Sequence, residues 1–137
     1  MKTKNYIWII PALIVAVNAI AVLARWHSLP ETLKAHFDLQ GNASGTMPRS
    51  TLIFYPIASA VICLFAYVKS RMKSKRVPSL GLAILASGVA LAILSSTLVT
   101  LTEGTKPIFM LAEPVIMVIA LVAFFIIFLK ARRNSIK

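Results

Sequence analysis

The chain has 137 residues, of which 58% are apolar and 14% charged, and its mean hydropathy is +0.83. Soluble domains carry about 45–50% apolar and about 25% charged residues, so a water-soluble globule and a disordered chain are both excluded. Fifteen Lys and Arg against four Asp and Glu leave a net charge of +11. The basic residues sit in short clusters beside apolar runs, which points to membrane topology and anionic lipid and away from nucleic acid.

The first apolar run extends from Tyr6 to Ala24. Lys2 and Lys4 precede it and Ala19-Ile20-Ala21 lies near its end, as in a signal peptide. Its apolar stretch is longer than the 7–15 residues of such leaders, so it reads as a retained transmembrane helix. Three further runs follow, at about 51–68, 80–101 and 108–129. Each is close to the ~20 residues that cross a hydrocarbon core as a helix. The expected fold is an all-α, integral-membrane four-helix bundle, with residues 1–137 forming one domain.

Counting Lys and Arg loop by loop gives the orientation. Eleven of the fifteen lie before the first run, in the 69–76 loop or in the tail after residue 129. Basic residues stay on the cytoplasmic side, so both termini are expected there and the 25–50 loop outside. Tyr6, Trp8, Trp26, Tyr55 and Tyr67 fall near run ends, where amphipathic rings anchor at the headgroups.

The outer loop carries the sequence's least lipid-like pattern. Pro30 sets a turn after the first helix, and Leu29, Leu33 and Phe37 recur at spacing four. That spacing predicts one short amphipathic helical turn on the membrane surface, ended by Gly41-Asn42 and Ser44-Gly45. His27, Glu31, His36 and Asp38 suggest zinc or copper by residue type. Their spacing is no dedicated signature, so the expectation is no metal, with His36 hydrogen-bonded to the loop backbone and fixing its turn.

Inside the third run, Ala83 and Ser87, Ala86 and Ala90, and Gly88 and Ala92 are small pairs at spacing four. Such stripes let helix backbones approach, so this helix is expected at the centre of the bundle. Cys63, the single cysteine, lies within the second run. Glu113 sits five residues into the fourth run, followed by Pro114. An acid at that depth usually faces the bundle interior or a wet cavity. Counting from the outer run ends sets Asn18, Tyr55 and Thr97 at a similar level, one polar layer beneath the loop. The sequence contains no His-Glu-x-x-His, Gly-x-Ser-x-Gly or phosphate-binding glycine loop. No enzyme activity, catalytic residue or cofactor is therefore expected.

Leu29-Pro30, then His36-Phe37, then Gly41, directly after a first transmembrane helix, resembles the bacterial SdpI-like membrane proteins. Lys34 stands where their pattern has a second Pro. The resemblance implies a bacterial cytoplasmic (inner) membrane protein. Its best-known relatives give immunity to a secreted peptide toxin and signal to a transcriptional repressor. It thus implies a membrane-active peptide as ligand and a cytoplasmic regulator as partner. The ligand-binding residues then expected are His36, Phe37, Asp38, Glu113, Asn18, Tyr55 and Thr97. The alternative from the same residues is a small-solute or proton-coupled carrier, working as a homo-oligomer, a dimer, because four helices enclose no pathway alone.

Overall fold

The computed structural model describes residues 6–38, 40, 42–72, 78–102 and 107–135. Lys2, Lys4, Gly41, Lys73, Lys75, Arg76 and Lys137, which bear on the expected topology and loop pattern, lie outside the described residues. Helices α1 (Ile9–Arg25), α2 (Phe54–Arg71), α3 (Ser79–Leu101) and α4 (Pro107–Ser135) make up the bundle. Single 3-10 turns at Tyr6–Trp8, Trp26–Ser28 and Arg49–Ile53 extend α1 and α2. All four helices are long and apolar enough to cross a membrane. The protein is a multi-pass membrane protein built as a four-helix bundle.

Helix α3 packs against each of the other three, and most extensively against α4. Its composition explains this. Gly81, Ala83, Ala86, Gly88, Ala90 and Ala92 are all buried, so neighbouring backbones approach without displacing large side chains. Some 44% of its apolar span is buried, against 6% for α4, which puts α3 at the centre and α4 at the lipid boundary. The exposed leucines, valines and phenylalanines of α1, α2 and α4 form the surface that faces acyl chains.

The segment between α1 and α2 departs from the expected helical turn. Strands β1 (Thr32–Phe37) and β2 (Ala43–Pro48) form an antiparallel hairpin, with Thr32 opposite Pro48 and Phe37 opposite Ala43. The spacing of Leu29, Leu33 and Phe37 is a multiple of two as well as near one helical turn, so it fits either element. The residues between decide it. Leu33 and Ala35 are buried while Thr32, Lys34 and His36 are exposed, the alternation of a half-buried strand.

The hairpin is packed onto the bundle end. Leu33 joins Val22 of α1, Leu29, Leu52 and Leu101 of α3 in one apolar cluster, with Trp26, Met47 and Tyr55 against it. Arg49 ties the base together. Its guanidinium donates to the carbonyls of Trp26 (3.3 Å) and Leu29 (3.0 Å) and lies 4.9 Å from the centre of the Trp26 ring. Its backbone N–H also donates to the Glu31 carbonyl at 2.7 Å. At the opposite end Trp8 meets Tyr67 edge-to-face at 5.4 Å, joining α1's leading turn to α2.

Candidate functional site

A cavity of about 630 Å³ opens where the hairpin meets the bundle. His36, Phe37, Asp38 and Gln40 line it from the hairpin, Tyr55 from α2, Ser96, Val99 and Thr100 from α3, and Glu113 from α4. Four elements distant in sequence therefore share one polar concavity. Volumes of a few hundred cubic ångströms are usual for small-molecule sites, and this one holds several convergent polar groups.

Glu113 is partly buried, and Ser96 donates its hydroxyl to Glu113 Oε2 at 2.6 Å. This short contact joins α3 to α4 at the cavity wall. Pro114 has no N–H, so the helical ladder beside Glu113 lacks one bond. Thr100 uses its hydroxyl on the Ser96 carbonyl, at 3.1 Å. Among the described residues, the carboxylate's other oxygen has no hydrogen-bond partner.

The hairpin tip is organised by Asp38. Its Oδ1 accepts the backbone N–H groups of Gln40 (3.0 Å) and Asn42 (2.8 Å), and its Oδ2 accepts the Asn42 amide at 3.1 Å. A short acid closing its own turn is the physical reason for Asp at such positions. The role expected of His36 thus falls to Asp38. The His36 backbone carbonyl accepts the Ser44 hydroxyl at 2.7 Å, while its imidazole makes no hydrogen bond to a described residue.

His36 instead has an unusual backbone, with φ at 56°, alone among the described non-glycine residues in being positive. The left-handed conformation costs an L-residue about 1–2 kcal/mol. Gly45, which pairs with the neighbouring Ala35 across the hairpin, leaves space for the His36 ring. A Cβ at Gly45 would stand 3.3 Å from His36 Cδ2. Replacing His36 with Gly relieves the strain and adds about 0.5–1 kcal/mol of chain entropy cost. His36→Gly is therefore expected to leave the hairpin at least as stable, measured by amide exchange of β1 and β2. Loss of more than about 1 kcal/mol would show that the imidazole supports the fold.

The expected polar layer divides in two. Tyr55 and Glu113 line the cavity together with His36, Phe37 and Asp38, whereas Asn18 and Thr97 do not. Both of those are fully buried among the helices. Thr97 donates to the Ile93 carbonyl of its own helix at 2.9 Å. Among the described residues, neither amide atom of Asn18 has a partner, nor does the hydroxyl of fully buried Ser59 on α2. Ser96, Val99, Thr100 and Gln40 are the lining residues that sequence reasoning did not name as a site. Ser96 and Thr100 share a helix face at spacing four, a signal available beforehand but common in membrane helices. Of the four side chains that suggested a metal, His36 and Asp38 line the cavity; His27, in the 3-10 turn after α1, and Glu31 do not. Among the described residues, no three His, Cys, Asp or Glu side chains come together.

No curated protein and no solved structure matches the chain significantly. One family does match, over residues 13–60: a domain of unknown function, DUF1648. The matched stretch contains most of α1, the whole hairpin and the start of α2, and so supplies five of the nine cavity-lining residues.

Proposed function

We propose that this protein is a non-enzymatic membrane receptor whose hairpin-capped cavity binds a ligand from the extracytoplasmic side. The observation that supports it most is the convergence of Glu113, Ser96 and Tyr55 with the hairpin tip in one open, polar cavity. A helix bundle with only a structural role has no need of a carboxylate on a cavity wall, since acids within spans are costly. The uneven distribution of Lys and Arg supports a cytoplasmic location for both termini, which puts the hairpin outside.

The likeness of Leu29-Pro30, His36-Phe37 and Gly41 to SdpI-like proteins supports a membrane-active peptide as the ligand. On that reading the protein gives immunity in a bacterial cytoplasmic membrane, with signalling to a cytoplasmic regulator. A proton-coupled carrier is the second reading, favoured by one observation, the partly buried Glu113 held by Ser96.

A photo-crosslinking residue at Phe37 or Tyr55, in cells grown with their own secreted peptides, is expected to capture a peptide. The same residue at Val118, on the lipid face of α4, should not. Equal capture at all three positions, or none at Phe37 and Tyr55, contradicts the receptor reading. Proton flux into proteoliposomes that is lost in Glu113→Gln would favour the carrier.

A further inference from the structure

Asn18 on α1 and Ser59 on α2 are polar residues that expose no surface. Among the described residues, both atoms of the Asn18 amide and the Ser59 hydroxyl lack a hydrogen-bond partner. Buried polar groups of native proteins are nearly always bonded, to protein or to ordered water, because an unbonded one is costly in an apolar interior. The helix register brings these two residues to one level. Trp8 meets Tyr67 at one end of the α1–α2 seam, and Val22 shares an apolar cluster with Leu52 towards the other. At about 1.5 Å per residue, Asn18 lies roughly 15 Å along α1 from Trp8, and Ser59 roughly 12 Å along α2 from Tyr67. Counting from Val22 and Leu52, with the larger rise of the 3-10 turn, gives an offset of about 5 Å in the same sense. Val15 and Ala60 line one groove on the outer side of this seam, and Asn18 and Ser59 lie on its buried side. One turn from Ser59, the Cys63 thiol meets the Ala86 carbonyl of α3 at 3.8 Å. The α3 residue level with Ser59 is therefore the fully buried Ala90, whose methyl group offers no hydrogen bond.

We infer that Asn18 and Ser59 together bind a water molecule in the interior of the bundle. Water both donates and accepts, as these three atoms require. Seated on the edge of the amide, it accepts an Nδ2 hydrogen and donates one of its own to Oδ1. Its second hydrogen goes to Ser59 Oγ. That makes three bonds, the usual number for a buried water. Two bonds of ~2.8 Å in sequence span about 4–6 Å, which suits neighbouring residues that do not bond directly. An alkali cation fits poorly, because the Nδ2 hydrogens repel it and no acid is among the described buried residues. Full burial leaves no access for a side chain from a second copy of the chain. The water lies apart from the outer cavity, which neither residue lines. It fastens α1 to α2, the two helices that carry the hairpin between them.

Proton-detected solid-state NMR of the full chain in lipid bilayers, with its carbon-bound protons deuterated, tests this. The side-chain amide signal of Asn18 is identified by its loss in Asn18→Leu. Magnetisation transferred from water is expected to reach that amide, and not the backbone amides of Ala83 and Ala86, which are buried on α3. In Ser59→Val the added methyl groups take the place of the water, and the transfer to Asn18 should be lost while the α3 signals are retained. An Asn18 amide that receives no transfer in the parent protein, the result of a direct bond to Ser59, would overturn the inference. Transfer that persists undiminished in a folded Ser59→Val protein would do the same. An Asn18 signal that moves when sodium is replaced by choline would put a cation in the site instead of water. If Ser59→Val does not fold, the parent spectrum alone decides.

Discussion

Gly88→Ala is expected to cost about 1–3 kcal/mol and Gly88→Val more, read as a fall in melting temperature in detergent micelles. A Cβ built on Gly88 falls well inside van der Waals contact with the Cβ of Ala120 on α4, with the Ala120 Cα at 3.6 Å and the Ile116 carbonyl oxygen at 4.0 Å. None of these atoms ends a flexible side chain, so the helices themselves must separate. They do so along the most extensive helix contact in the protein. Gly81 provides the contrast. Its Cβ would meet the Phe124 ring at 3.3 Å, and a ring edge can yield, so Gly81→Ala should cost less than about 1 kcal/mol. Ala120→Gly introduced with Gly88→Ala removes the clashing atom and should recover much of the loss, the coupling expected of residues in direct contact. A Gly88→Ala protein as stable as its parent would show that α3 and α4 are not packed this closely.

The second large effect is at the base of the hairpin. Arg49→Ala removes two hydrogen bonds to the carbonyls of Trp26 and Leu29 and the guanidinium beside the Trp26 ring. Both bonds leave the same part-buried Nη1 and are counted together as one charged hydrogen bond of about 1.5–3 kcal/mol; with about 0.5–1 for the cation–π contact, the hairpin should open more easily by roughly 2–4 kcal/mol. Amide exchange of β1 and β2 is expected to rise roughly 30- to 1,000-fold, while α3 amides keep their protection. Arg49→Lys keeps the charge but cannot make the fork, and should fall between the two. Unchanged exchange in Arg49→Ala would mean that the apolar cluster around Leu33 holds the hairpin unaided.

The two sites differ in how legible they were beforehand. Four spans follow from run length and apolar content alone, because lipid leaves the backbone few alternatives to helix. The central place of α3 follows from its small residues, since only such a helix can be approached on several sides. The hairpin was not legible. A period of four in Leu29, Leu33 and Phe37 satisfies both helix and strand, and the strand prevails because Leu33 finds a partner in Leu52, far along the chain. Asp38 as the turn's organiser was within reach of the sequence, since Asp accepts amide bonds two to four residues on. Helix rotation was not, because every helix here is apolar on most of its surface. Counting residues set Thr97 level with Glu113, but the neighbouring Ser96 is the one turned toward it. Asn18, at a similar depth, faces inward, with both amide atoms unpartnered among the described residues.

The central claim is that Glu113 stands in a cavity open to the outside beneath the hairpin. Thiol labelling in intact cells tests it most directly, with Cys63→Ser removing the native thiol. Glu113→Cys in that background should react with a membrane-impermeant reagent added externally, and an excess of a small impermeant thiol blocker should abolish the reaction. Val118→Cys, on the lipid face of the same helix, should stay unlabelled. A Glu113→Cys protein that labels only after the membrane is opened, or not at all, would contradict the account.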